Sequence, residues 1–160
     1  EADGRTYTIG ALVMSNFGAP GNLIIGGKHY DTNLGRDERK DQGSIIMLLA
    51  TDLPLNERQL KRLAKRSTVA LGRVGSYCGN GSGDIAIAFT TANRLPHYSE
   101  KCVLDVKMFY DENIDRVFEA GVEAVEEAIV SSLYHAETTT GIRGNHYLGL
   151  QEFLARYGGL

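Results

Sequence analysis

Gly43-Ser44-Ile45-Ile46-Met47-Leu48-Leu49-Ala50-Thr51 is the stretch on which the fold of this chain turns. The apolar run after Ser44 is too short to span a bilayer and suits a strand buried on both faces. A serine at the mouth of such a strand, behind a glycine, has a chemical use. If the Gly43–Ser44 bond is cut, Ser44 gains a free α-amine beside its hydroxyl. Nucleophile and general base then share one amino acid. Gly43 is expected to tolerate the strained backbone that brings its carbonyl under the serine Oγ. The dipeptide is not diagnostic by itself, since it recurs at Gly75-Ser76 and Gly81-Ser82 and an ordinary strand-start serine looks the same.

Working outward, Tyr7 to Phe17 reads as a strand ending at Asn16, with turn residues Gly18, Pro20 and Gly21 behind it. Leu23-Ile24-Ile25 is a short second strand, and a hairpin between the two is expected. Asp31 to Gln42 is charged and poor in apolar residues, including Arg36-Asp37-Glu38-Arg39-Lys40-Asp41, and predicts an exposed, mobile loop. After Pro54, the stripe Leu60, Leu63, Ala64, Ser67, Leu71 and Val74 predicts a helix from about Asn56 to Gly75, with Asn56 as its N-cap. Ile85 to Thr91 and Val103 to Tyr110 read as strands. Phe118, Val122, Val125, Ile129 and Leu133 line one face of a helix over Asp115 to Tyr134. Beyond Gly141 and Gly144, a short helix near Leu148 to Tyr157 closes the pattern. The order predicts sheet layers covered by helices in one unit, residues 1–160.

The 160 residues carry 42% apolar side chains and a formal charge of −3 with acids and bases mixed. That supports one core and shows no nucleic-acid footprint and no membrane span. Arg58 to Arg66 alternates basic with apolar residues and reads as the wet face of a helix. Cys78 and Cys102 form no CxxC pair, and His29, His97, His135 and His146 lack ligand spacing, so neither a metal nor another cofactor is expected. One buried and one surface thiol are expected rather than a disulfide. No signal peptide is visible, and a cytoplasmic setting is expected, although the chain begins without methionine.

Three segments carry chemistry. Ser44 is the candidate nucleophile. Asn16, at the end of the first strand, can donate its side-chain NH₂ to a tetrahedral oxyanion, or serve as a turn asparagine. In Gly79-Asn80-Gly81-Ser82-Gly83-Asp84, the glycines Gly81 and Gly83 free backbone N–H groups to face a substrate or oxyanion, while Ser82 and Asp84 can orient an amine. Phosphate cradling is the other use of such a loop. It lacks the Gly-Lys-[Ser/Thr] of a Walker loop and precedes a strand rather than a helix.

Taken together, the segments resemble the DmpA-type aminopeptidase family, self-processing N-terminal-serine peptidases that include the β-aminopeptidases. The matching text is Ser15-Asn16-Phe17-Gly18, Gly43-Ser44-Ile45-Ile46 and Ala50-Thr51-Asp52-Leu53-Pro54-Leu55. It continues through Ala70-Leu71-Gly72-Arg73-Val74-Gly75-Ser76, Gly79 to Asp84 and Ile87-Ala88-Phe89-Thr90-Thr91-Ala92-Asn93. Gly141 to Leu154 is similar to the family's final glycine turn and short helix.

The resemblance implies an α+β fold, a four-layer αββα sandwich related to N-terminal-nucleophile hydrolases, of which this chain covers the C-terminal part. It implies self-cleavage at Gly43–Ser44, with residues 1–43 ending an α-chain and 44–160 forming a β-chain. The implied activity releases N-terminal residues from peptides, amides or esters. Ser44 is the implied nucleophile, Asn16 an oxyanion donor, and Ser82 with Asp84 the pair around the serine amine. Implied partners are a small peptide or amino-acid amide substrate, an upstream α-chain segment with part of the substrate pocket, and further αβ units in a homo-oligomer. Some members carry Glu where Asp84 stands. Related self-cleaving amide hydrolases and acyltransferases are expected to use threonine, so Ser44 favours the aminopeptidase. A non-catalytic scaffold that keeps the fold without processing is the alternative from another class.

Overall fold

The computed structural model describes residues 3–32, 41 and 43–158. The charged loop expected over Asp31 to Gln42 lies outside these residues at 33–40 and 42. In chain order the elements are β1 (Ile9–Asn16), β2 (Leu23–Ile25), β3 (Lys28–Tyr30), β4 (Ser44–Thr51), α1 (Glu57–Arg73) and β5 (Gly83–Thr90). A 3₁₀ turn at Asp111–Asn113 then leads into α2 (Asp115–Tyr134), followed by β6 (Thr139–Thr140), β7 (His146–Tyr147) and α3 (Leu150–Tyr157).

β4 is the middle strand of a three-stranded sheet. It runs antiparallel to β1, from Ile9 opposite Thr51 to Asn16 opposite Ser44. It runs parallel to β5, from Ser44 beside Gly83 to Thr51 beside Thr90. The parallel pair needs a crossover, and α1 supplies it. Asn56 caps α1 as expected: its side chain accepts from the Gln59 N–H at 2.9 Å, and Gln59 Oε1 accepts from the Asn56 N–H at 3.0 Å. This capping box satisfies orphan donors of the first turn. Fully buried Gln59 also donates to the Phe109 carbonyl at 2.7 Å and to Asp111 at 2.6 Å, tying the helix start to the segment before α2.

The helices cover one face of the sheet. Ile45, Met47 and Leu49 of β4 point into a core with Leu63 and Leu71 of α1 and Phe118, Val122, Val125 and Ile129 of α2. Arg66 lies with its guanidinium carbon 3.9 Å from the Phe118 ring centre, so the predicted wet face of α1 also roofs the core edge.

Four sequence expectations are corrected. β4 is buried on one face only: Ile46 on its other face is exposed, as are Leu12, Met14, Ile85, Ile87 and Phe89 beside it, because α1 and α2 both pack on the opposite side. Leu23–Ile25 forms its hairpin with Lys28–Tyr30, not with the first strand. Gly26 and Gly27 both take positive φ, as a two-residue type I′ turn requires. Among the described residues, Val103 to Tyr110 forms no ladder. Asn93 takes the place of a partner strand there, its side-chain amide bonding both the N–H and the C=O of Lys107. Both cysteines are exposed and free, rather than one buried.

Gln59→Ala removes half of the capping box and both tethers, and is expected to destabilise the protein by about 2–3 kcal/mol in thermal or urea unfolding. Asp111 is held below the usual carboxylate range, first by the Gln59 hydrogen bond and then by Arg58. Its contribution is therefore present above the ordinary carboxylate value and lost as pH falls through the lowered one. Asp111→Asn should flatten that acid limb of the stability profile.

Candidate active site

The two pairing registers place three predicted residues in one row across the sheet end. Asn16 of β1, Ser44 of β4 and Gly83 of β5 are direct neighbours. Side chains alternate along a strand, so Ser44 shares its face with Ile46, and Asn16 shares its face with Met14. All four are on the exposed side of the sheet.

At the centre of the row, the Gly83 N–H points at two oxygens. It lies 3.3 Å from Ser44 Oγ and 3.3 Å from the Gly43 carbonyl oxygen. The candidate nucleophile and the carbonyl of the bond in question therefore share one backbone donor. Glycine at 83 keeps this approach open, since a Cβ there would sit 3.1 Å from Ser44 Oγ. β5 begins at Gly83 rather than at the expected Ile85, which is how this residue enters the ladder.

Gly43 is glycine for a different reason than the one expected. It is not among the described residues with positive φ. Instead its backbone is pressed against β1: a Cβ would lie 1.8 Å from the Asn16 carbonyl oxygen and 2.5 Å from Phe17 Cα. Only a residue without a side chain fits that approach.

Ser82 and Asp84 form their own pair, the Ser82 hydroxyl donating to Asp84 at 2.7 Å. They flank Gly83, and the pleat turns both toward the half-buried side of β5, away from the face of Ser44. Among the described residues, Ser44 makes no hydrogen bond to either. Gly81 is exposed in the turn just before Ser82, where the Ser82 N–H closes back on the Gly79 carbonyl at 2.8 Å. Cys78 lies beside Asp84, a neighbour the sequence does not announce. Partial burial, then the Asp84 carboxylate, pushes its thiol above the ordinary cysteine value.

Asp41 is the residue that sequence patterning misplaces. Grouped with an exposed charged loop, it is 4% exposed. It accepts from the Gly18 N–H at 3.0 Å and from the Gly79 N–H at 3.2 Å. Its position two residues before Gly43 was the one available signal.

Among the described residues, no three His, Cys, Asp or Glu side chains gather to hold a metal ion, and no helix is long and apolar enough to cross a membrane. A broad concavity lined by Tyr7, Leu53, Pro54, Met108, Phe109 and Tyr110 opens at the far end of β4, about 23 Å along the strand from Ser44. The candidate residues Asn16, Ser44 and Gly83 lie at the opposite, exposed end of the sheet.

The chain is an α+β unit with a serine at the end of its central strand, a glycine before it and a backbone donor beside it. The profile of Peptidase family S58 matches residues 1–147, and this chain belongs to that family. It is 38% identical over 161 residues to the beta-peptidyl aminopeptidase BapA of Sphingosinicella microcystinivorans, covering 90% of this chain and 41% of that protein. The crystal structure of the PH0078 protein from Pyrococcus horikoshii OT3 superposes with a TM-score of 0.86 at 47% identity, over 98% of this chain and 44% of that one. The L-aminopeptidase D-Ala-esterase/amidase of Ochrobactrum anthropi superposes with a TM-score of 0.81 at 43% identity, over 97% and 45% respectively. The latter is described as a prototype of the serine aminopeptidases and a variant of the Ntn hydrolase fold. The chain spans less than half the length of these relatives.

Asp84→Asn removes the charge that opposes ionisation of Cys78. The pH profile of Cys78 alkylation, followed by mass spectrometry, is expected to move to lower pH in that variant.

Proposed function

We propose that this chain carries the reacting centre of a self-processing serine aminopeptidase or amidase, which releases N-terminal amino acids from peptides, amides or esters. The observation that carries this is the Gly83 N–H shared between Ser44 Oγ and the Gly43 carbonyl. An oxyanion donor aimed at the scissile carbonyl is what the first reaction needs.

In that reaction Ser44 Oγ attacks the Gly43 carbonyl carbon. The C–N bond to Ser44 breaks, the Ser44 nitrogen gains the hydroxyl proton in net terms, and an ester joins Gly43 to Ser44 Oγ. Water hydrolyses the ester, giving a Gly43 carboxylate and restoring the Ser44 hydroxyl. Holding the groups face to face removes up to ~7–11 kcal/mol of barrier. Residues 1–43 then end an α-chain, and residues 44–160 form a β-chain.

The new α-amine has a reference pKa of about 7.7–8.0, close enough to neutrality to take the Oγ proton in turnover. Ser44 attacks the substrate carbonyl, and the Gly83 N–H and the Asn16 side chain hold the oxyanion. The amine passes its proton to the leaving group, and water frees the acyl-enzyme. The Ser82–Asp84 pair lies on the other face of β5 from the Ser44 hydroxyl and acts on this row by holding the loop that presents the Gly83 N–H.

The exposed apolar sheet face supports a four-layer sandwich in which an upstream α-chain segment packs a second sheet over β1, β4 and β5. That burial would cover Leu12 and Met14, each 69% exposed, and wall the site with substrate-pocket residues. Assembly of several αβ units fits the exposed Tyr98, Val103 and Val106. A cytoplasmic setting fits two free thiols.

In protein expressed from its complete reading frame, N-terminal sequencing should find a chain beginning Ser44-Ile45-Ile46-Met47, with activity on aminoacyl p-nitroanilides. Ser44→Ala should stay uncut and lose activity by at least about a thousandfold. A cut Ser44→Ala protein would exclude Ser44 as the processing nucleophile, and an uncut wild-type protein would favour the scaffold.

A further inference from the structure

We infer that Asp41 is a positioning residue for cleavage at Gly43–Ser44, a role that rests on the proposed self-processing. Its carboxylate joins the two chain segments that flank the mouth of β4. Oδ1 accepts from the Gly18 N–H at 3.0 Å, in the turn that follows Asn16. Oδ2 accepts from the Gly79 N–H at 3.2 Å and from the Ser76 hydroxyl at 3.5 Å, in the loop that leads to Ser82 and Gly83. The Asp41 N–H in turn donates to the Tyr77 hydroxyl oxygen at 3.3 Å.

The packing around this anchor leaves no slack. A Cβ on Gly79 would lie 2.8 Å from Asp41 Cβ and 2.9 Å from Tyr77 Cε2. Two residues further on, Gly43 is pressed on the Asn16 carbonyl. Only residues 42 and 43 separate the pinned carboxylate from Ser44. With Asp41 fixed at one end and β4 at the other, the Gly43 carbonyl carbon has little freedom relative to Ser44 Oγ. Intramolecular attack depends steeply on that alignment.

The chemistry also selects aspartate. Both oxygens face N–H donors, which a carboxylate accepts on both sides. An asparagine of the same shape would turn its NH₂ toward one of them and leave two donors opposed.

The test is the first-order processing rate after a pulse of cell-free synthesis from the complete reading frame, read by gel and mass spectrometry. Asp41→Asn and Gly79→Ala are expected to slow processing at least about tenfold, at temperatures where Asp41→Asn in an uncut Ser44→Ala background is still folded by circular dichroism. Asp41→Ala should recover part of its rate in formate but not in chloride at equal ionic strength, a response that a merely structural role would not give. Processing of Asp41→Asn within threefold of wild type, or absence of formate recovery, would overturn the assignment. If Asp41→Asn does not fold, Gly79→Ala decides, since its methyl would displace the Asp41 side chain: slower processing supports the role and an unchanged rate overturns it. A wild-type protein that is not cut, or a Ser44→Ala protein that is, sinks the self-processing proposal itself. A cut wild type matched by Asp41→Asn sinks only the role of Asp41.

Discussion

The register of β4 against its two neighbours is the constraint on which everything else depends. With Asn16 opposite Ser44 and Gly83 beside it, three chain segments that are distant in sequence end at the same level. A slip of one residue on either side would turn the partner's side chains to the opposite face of the sheet. It would also carry the Gly83 N–H away from the Gly43 carbonyl. The register is held by burial of Ile45, Met47 and Leu49 under α1 and α2, so the core and the site are specified by the same alternation. Close backbone approach at Gly43 fixes the same level a second time, through sterics rather than hydrophobicity.

The other face of that sheet leaves the candidate residues Asn16 and Ser44 in the open. Leu12, Met14, Ile46, Ile85, Ile87 and Phe89 form a continuous apolar surface with Ser44 and Asn16 at its edge. Contiguous exposed apolar surface of that kind is the mark of an interaction face. Relatives in the Peptidase S58 family are more than twice as long as the stretch they share with this chain. A site at the rim of a sheet-on-sheet contact would gain its walls, and its low dielectric, from the covering layer.

Much of the architecture was legible in the sequence for identifiable reasons. Both ends of β4 are legible, because an apolar run bounded by Gly43 and by Asp52 with Pro54 leaves little choice. α1 and α2 followed from stripes at helical spacing, and Asn56 from its place before the first turn. What failed was pairing. Leu23–Ile25 looked like a partner for the first strand until the short segment Lys28–Tyr30, with only one buried residue, closed the hairpin locally. Val103 to Tyr110 has strand composition without a partner strand, and composition cannot supply one. Asp41 misled because a charge beside other charges reads as solvated, while its amide and hydroxyl partners lie 23 to 38 residues away.

The sequence by itself determined the element types, the residues able to do chemistry and the resemblance that the family match bears out, because these depend on local spacing and residue identity. Tertiary structure alone decided which of those residues meet. It showed Gly83, rather than Ser82 or Asp84, bonded to Ser44 Oγ, and gave close approach rather than strain as the reason for glycine at 43. It also showed the carboxylate of Asp41 buried between two loops. The physical reason is that hydrogen bonds and steric approach act between atoms brought together by strand pairing, and pairing is a long-range choice that no local pattern encodes.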